Sequence, residues 1–294
     1  MVDDLSGWRE AFIRAERLPP GFGDIIDTRY VPLSQIIRAR RDDRAAPLVV
    51  GICGPQGSGK TTGTAVLAQL LDRGGMQVAR LSLDDLYLTR AERLCLAARV
   101  HPLLATRGVP GTHDVALGIH TLDSLAASGT VHVPTFDKAI DDRVPQSEWP
   151  SRDAPADIIL FEGWCVGARP QSAEALDPPI NRLEVEEDAD GRWRRFVNDA
   201  LAGPYQTLFA RIDLLIQFVA PSFAAVIRWR TEQEHKLRDA RDGLTVTGDR
   251  TMDDAALLRF LQHYQRLTTH IAAEMPARAD ILLRLGEDRE LLGS

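Results

Sequence analysis

The sequence predicts an α/β fold in which a five-stranded, mostly parallel sheet carries helices on both faces, with a helical extension ahead of it. Three observations lead there. Five short strand-like runs, at 47–53, 77–83, 157–161, 213–219 and 280–285, are separated by stretches of helical spacing. Those at 47–53, 157–161 and 213–219 are nearly continuous in apolar residues, as strands buried on both faces are. The first run leads directly into a glycine-rich turn and then a helix, a unit from which parallel sheets are built.

The elements follow in order. Leu5, Trp8, Phe12 and Ile13 share one helical face, and Pro19-Pro20 closes that element. Leu33, Ile36 and Ile37 mark a second short helix, with a charged linker at 38–44. Residues 1–44 are therefore expected as a helical extension packed on a domain spanning 45–294. After the first strand and its turn, 61–71 is helical, with Val66, Leu67, Leu70 and Leu71 on one face. Helical spacing returns at 90–100 and 114–127, and a short strand is expected at 130–136. Residues 169–190, rich in Pro, Asp and Glu, read as a surface excursion, and 192–209 as one helix. Pro221 opens a long helix to about 241, a polar loop follows to 251, and 253–274 is the last helix. There is no internal repeat.

Composition narrows the function classes. With 294 residues, 44% hydrophobic and 26% charged, the chain has the make-up of a soluble globular protein and enough length for one large α/β domain. Basic residues number 35 against 42 acidic, so the net charge of −7 argues against a nucleic-acid-binding face. Cys53, Cys95 and Cys165 have no metal-type spacing and suit a reducing cytoplasm. The first residues are acidic and no long apolar segment follows, so neither a signal peptide nor a membrane span is expected. The partner class that remains is a small-molecule substrate, without nucleic acid or membrane, handled by a cytoplasmic monomer or homodimer.

The turn after the first strand carries the chemistry. Gly54, Pro55, Gln56, Gly57, Ser58, Gly59, Lys60 and Thr61 fill every fixed position of G-x-x-x-x-G-K-[ST], and Thr62 follows. Glycines let the backbone curl so that its N–H groups point at phosphate oxygens, and a helix N-terminus favours the anion. Lys60 supplies a point charge for the β- and γ-phosphates, and the Thr61 hydroxyl is a ligand for Mg²⁺. Strand, loop and helix in this order predict a P-loop NTPase fold and a nucleoside triphosphate site.

Ligands of open parallel sheets bind beyond the carboxyl ends of the strands. Three strand ends carry candidates: the loop 54–61, the pair Asp84-Asp85, and Glu162. Asp84 is the candidate base that orients and deprotonates an attacking hydroxyl, with Asp85 in support. Either aspartate could instead cap the following helix. Glu162 is a candidate Mg²⁺ ligand with Thr61; the bland alternative is a buried acid paired with a nearby base. Arg228, Arg230, Lys236, Arg238 and Arg241 cluster on one helix and the loop after it. They read as a cationic lid, about 228–252, with Arg228 the candidate contact to the γ-phosphate. Interspersed Glu232, Glu234 and Asp239 equally suit a solvated helix face.

The acceptor is expected in an insert at about 86–150. Two turns there, 107–114 and 134–138, bring Tyr87, Arg107, His113, Asp137, Lys138 and Arg143 forward as substrate-binding candidates beside Asp85. The five tryptophans read as core, and Cys53 and Cys165 as packing residues, since transfer to a hydroxyl needs no thiol nucleophile.

These pieces are recognisable together. PLVVGICGPQGSGKTT, LSLDDLYLT, HPLLATRGVPGTHD, VPTFDK, FEGW and DDAALLRFLQHYQRLT occur in order over nearly the whole chain. The chain resembles the P-loop small-molecule kinases that include phosphoribulokinase, uridine kinase and bacterial pantothenate kinase, and within them the D-glycerate 3-kinases of plant and fungal type. The phosphate loop is shared by many families; the pair SLDDLYLT and RGVPGTHD is far more specific. By that resemblance Asp84 falls at the acid that activates the acceptor hydroxyl, Glu162 at the strand-end acid, and the Arg228 region at the lid. The resemblance implies ATP with Mg²⁺, and D-glycerate as acceptor. Where a glycine-rich stretch is expected after FDK, this chain has Ala139-Ile140-Asp141-Asp142-Arg143, and residues 244–251 are also poorer in glycine than such a lid. The other acceptors that fit the same chemistry are pantothenate, a nucleoside or a sugar phosphate. An ATPase or a nucleotide-binding regulator is the reading from a different class. No Asn-Lys-x-Asp guanine-reading motif is present.

Overall fold

A computed structural model describes residues 5–239 and 253–292. Five parallel strands form the central sheet. These are β1 (Leu48–Cys53), β2 (Val78–Ser82), β7 (Ile158–Gly163), β8 (Leu214–Val219) and β9 (Ile281–Arg284), in the spatial order β2-β7-β1-β8-β9. Strands β1 and β7 are buried throughout, while the edge strands β2 and β9 are partly exposed. That is why the central runs read as nearly continuous apolar sequence and the edges do not.

Alternate residues of each strand serve two cores. On one face Val50, Ile52, Leu160 and Ile216 pack against α3 (Val31–Asp42), α4 (Lys60–Arg73) and α10 (Phe223–Asp239). On the other, Val49, Ile159, Phe161 and Leu215 meet α6 (Val115–Ala126), α9 (Pro204–Phe209) and α11 (Asp254–Glu274). This fits the α/β architecture with helices on both faces. The N-terminal helices α1 (Leu5–Ala15) and α2 (Phe22–Ile25), with a π-turn at Ile26–Tyr30, bring Trp8, Ile26 and Tyr30 into the first of these cores. The remaining helices are α5 (Arg90–Arg99), α7 (Arg182–Glu187) and α8 (Arg192–Ala202). No helix among the described residues is long and apolar enough to cross a membrane.

Four local expectations are corrected. The charged stretch 38–44 is not a linker: α3 continues to Asp42, because its arginines find partners. Arg41 binds Asp157 at 2.9 Å and Arg44 binds Asp213 at 2.8 Å, and the same two carboxylates accept the N–H groups of Gln77 and Val49 at strand entries. The strand expected at 130–136 is split. β3 (Gly129–His132) pairs antiparallel with β6 (Ser151–Ala154), and β4 (Phe136–Asp137) with β5 (Asp142–Arg143), both outside the main sheet. Pro134 between them has no N–H to extend a ladder. Residues 192–209 make two helices, parted at Gly203-Pro204. Residues 169–190 are not a plain surface excursion, since Glu184 and Asp188 are buried against Arg266 and Arg194. Of the tryptophans, Trp8, Trp164, Trp193 and Trp229 are buried, whereas Trp149 is half-buried.

Candidate active site

The phosphate loop sits between the end of β1 and the start of α4. Gly57 and Gly59 have φ of 76° and 79°, left-handed values that favour glycine. At Gly57 a Cβ would also lie 2.9 Å from the Cβ of Trp229, so the loop is backed directly by α10. Trp229 is itself fully buried and donates its indole N–H to the Glu287 carbonyl at 2.7 Å.

Sheet register explains the acid beside the loop. Glu162 is aligned with Ile52 on β1 and Ser82 on β2. Ile158 and Leu160 face α4, and the two-residue period puts Glu162 on that same face, over the helix N-terminus. Its Oε1 accepts from Ser82 Oγ at 3.1 Å and from Thr61 Oγ1 at 3.3 Å, and Lys60 Nζ lies 3.9 Å from Oε2. Oε2 is buried and makes no hydrogen bond among the described residues. A buried carboxylate oxygen left over, beside a threonine hydroxyl, suits a hard divalent cation such as Mg²⁺. Thr61 and Glu162 would hold it. No cluster of three or more His, Cys, Asp or Glu side chains that could hold a metal occurs among the described residues, so the triphosphate and water would complete its shell.

The two aspartates after β2 have different duties. Ser82 supplies the cap of the 3₁₀ turn 83–86, accepting from the Asp84 N–H at 3.2 Å, which frees both carboxylates. Asp84 is held from two sides: Lys138 Nζ donates to Oδ2 at 2.6 Å and Tyr87 O–H to Oδ1 at 2.8 Å. Burial alone would raise its pKa, but Lys138 and Lys60, with these bonds, hold it well below the usual carboxylate range. Asp85 instead accepts the Phe136 N–H at 3.1 Å and so fastens β4 to the strand end. Burial pushes its pKa up to about 6; the Phe136 bond opposes this and Asp84 adds to it.

The remaining acceptor-side residues form the wall around Asp84. Tyr87 stacks on His113 with centroids 4.6 Å apart and meets Phe136 edge-on at 5.3 Å. His113 Nδ1 is 2.6 Å from the Tyr205 hydroxyl, which also accepts the Gly111 N–H at 2.9 Å. Burial lowers the His113 pKa to about 3, so the ring is neutral. Arg107 pairs with Asp141 and lies over the Phe136 ring, 5.6 Å from its centroid. Buried Arg93 also binds Asp141, at 2.8 Å. Asp141 has φ of 59°, so it takes up the left-handed turn where a glycine-rich stretch was expected, and in exchange its carboxylate anchors two arginines. Arg143 braces the scaffold through the Tyr87 carbonyl at 2.9 Å and Asp114 at 3.3 Å. Asp137 accepts the Ala139 N–H at 2.7 Å and shapes the turn that carries Lys138.

Arg228 is not brought to this group. Its guanidinium binds the Glu287 carboxylate at 2.6 Å on the outer side of α10. Arg230, one residue beyond Trp229, pairs with Glu234 at 2.8 Å, and its backbone N is 3.5 Å from where a Gly57 Cβ would stand. The side chains of Lys236 and Arg238, together with Arg241 and residues 244–251, lie outside the described residues. Cys53 and Cys165 are fully buried; burial pushes the Cys53 thiol up to about 12, an unreactive packing state. Sequence reading missed Ser82, Arg93, Asp141, Tyr205 and Tyr264. Tyr264 binds the Arg107 carbonyl at 3.1 Å and stands 4.9 Å from the Trp164 ring. Ser82 and Tyr264 lie within SLDDLYLT and DDAALLRFLQHYQRLT, but nothing in those stretches assigns them a contact, and the role of all five is found only by proximity.

The chain matches the family model "Phosphoribulokinase / Uridine kinase family" over residues 49–177. It is 35% identical over 233 residues to the uncharacterized kinase mug58 of Schizosaccharomyces pombe, covering 74% of this chain and 78% of that one. It is 33% identical over 251 residues to the chloroplastic D-glycerate 3-kinase of Arabidopsis thaliana, covering 81% of this chain but only 51% of that one, so it spans about half that relative's length. Among solved structures, D-glycerate 3-kinase from Cryptococcus neoformans var. grubii superposes with a TM-score of 0.69 at 25% identity, covering 90% of this chain and 96% of that one.

Proposed function

We propose that this chain, which belongs to the phosphoribulokinase / uridine kinase family and is an ATP-dependent small-molecule kinase, phosphorylates D-glycerate to 3-phosphoglycerate in the cytoplasm. The observation that carries the reading is Asp84, an ionised carboxylate set between Lys60 of the phosphate loop and Lys138 of the acceptor side. A hydroxyl arriving at Asp84 meets an acceptor for its proton on the side away from the phosphate loop. On the same wall Arg93 and Arg107 share the carboxylate of Asp141, and the surplus positive charge favours a small acceptor carrying a carboxylate. The likeness to two D-glycerate 3-kinases supports the choice of glycerate among such acids.

In this reading each residue has a task. The N–H groups of 54–61 and Lys60 hold the β- and γ-phosphates. Thr61 and Glu162 would hold Mg²⁺, which would neutralise charge on the phosphates. Asp84 orients the hydroxyl and takes its proton; Tyr87 and Lys138 fix the carboxylate. Since phosphoryl transfer proceeds through a loose transition state, a weakly basic but well-oriented carboxylate suffices. Residues 86–150 bind the acceptor, and on α10 Arg230 is better placed beside the loop than Arg228.

The test is coupled ADP release across D-glycerate, L-glycerate, pantothenate, uridine and ribulose 5-phosphate. D-glycerate should stimulate release most and yield the 3-phosphate. Stimulation by another acceptor without stimulation by glycerate would sink the assignment.

A further inference from the structure

Beyond the phosphate loop, on the α11 side of β8, a cavity of about 200 Å³ opens between α10 and α11. One wall is the start of the phosphate loop, Gly54 and Pro55; the others include Trp164, Gln217, Phe223 and Thr268. Among the described residues the lining has no charged side chain. That sets it apart from the Asp84 wall, where Lys138, Arg107 and Lys60 gather, and it makes the cavity unsuited to glycerate or a phosphate.

Two polar atoms in the lining lack partners. Strand alternation puts Leu215 in the α11-side core, so Gln217 faces the same way, from the middle of a buried strand. Gln217 is 2% exposed; its Nε2 reaches the Ile271 carbonyl at 3.4 Å, but Oε1 makes no hydrogen bond among the described residues. Thr268, 8% exposed, likewise has an unpartnered Oγ1. Buried polar atoms are nearly always satisfied, and each one left open costs about 1–3 kcal/mol. An acceptor-only oxygen and a hydroxyl lining one cavity ask for a ligand with both an N–H donor and a carbonyl. The tryptophan and phenylalanine around them ask for a flat apolar body.

We propose that this cavity is a second small-molecule site, taking an uncharged ring-bearing carboxamide or lactam, and that its occupancy shifts the phosphate loop it adjoins. The ligand's N–H donates to Gln217 Oε1 and its carbonyl accepts from the Thr268 hydroxyl. Because Gly54 and Pro55 are shared, binding in the cavity changes nucleotide affinity, and nucleotide changes ligand affinity by the same factor. The proposal does not depend on which acceptor the kinase uses.

Benzamide is the probe, with N,N-dimethylbenzamide lacking the donor and benzoate bearing a charge. Ligand-observed NMR titration of the full chain should give a millimolar Kd for benzamide, and at least fivefold weaker binding for both controls. Gln217→Met and Thr268→Val, each keeping volume, should each weaken benzamide at least threefold while the melting temperature stays that of a folded chain. ADP titrated with and without saturating benzamide should show a Kd shift of twofold or more. Equal binding of benzamide and its dimethyl analogue, or unchanged binding in both folded variants, would overturn the site. So would no binding up to the solubility limit of benzamide. An ADP Kd unmoved by bound benzamide would overturn the coupling.

Discussion

Asp85→Asn is expected to stabilise the protein more at pH 8 than at pH 5. Asp85 is raised from 3.8 to about 6 in the folded chain, mainly by burial. A carboxyl whose folded pKa is raised binds its proton more tightly when folded. The stability it contributes is complete below pH 3.8 and is lost as pH rises through about 6. Between pH 5 and pH 8 this amounts to about 1.4 kcal/mol by proton linkage, reduced to about 1 kcal/mol because the side chain is only partly buried. Asparagine keeps the carbonyl oxygen that accepts the Phe136 N–H and removes the charge. The margin by which the variant melts above the parent should therefore be about 2–4 °C wider at pH 8 than at pH 5. The assay is thermal unfolding of both chains, without nucleotide, across pH 5 to 8. Groups that titrate alike in both chains cancel in the difference. A difference that stays flat with pH, or that favours the parent at pH 8, would refute the buried-acid argument.

The remaining predictions concern the site and the frame behind it. Asp84→Asn should lower kcat by about 10²–10⁴ while ATP still binds, read by ADP release and nucleotide titration; retained turnover would remove Asp84 as the base. Gly57→Ala forces a Cβ to 2.9 Å from Trp229 at a φ of 76°, so ATP binding should weaken by about 1–3 kcal/mol with little change in helix content by circular dichroism. Arg266→Met leaves the fully buried Glu184 without its cation and should cost about 3–5 kcal/mol in urea unfolding. A cost below about 1 kcal/mol would mean that the pair is no better than its apolar replacement.

What the sequence determined by itself is whatever depends on neighbours along the chain. The phosphate loop is eight consecutive residues between a strand and a helix, so its backbone, its lysine and its hydroxyl were legible without a fold. The five strands were legible because burial on both faces leaves a continuous apolar signature in the central ones. Glu162 and Asp84 could be named because parallel strands deliver their carboxyl ends to one edge. Elements whose character is set by distant partners were read less well. In sequence the stretch through Arg41 reads as a linker since its ion partners are 116 or more residues away, and 169–190 reads as a surface excursion since its acids are neutralised from outside it, by Arg194 and Arg266.

Only the tertiary structure divided the work between two adjacent aspartates. Asp84 and Asp85 are chemically identical, and one turn of backbone points the first at Lys138 and the second at the Phe136 N–H. Likewise, only the fold tied Arg228 to Glu287, seated Arg107 on Asp141, and left Gln217 Oε1 facing a cavity without a hydrogen bond among the described residues. The reason is range. Backbone curvature and strand burial are written in a few consecutive residues, whereas the ionisation and aim of a side chain depend on charges and donors brought near by folding.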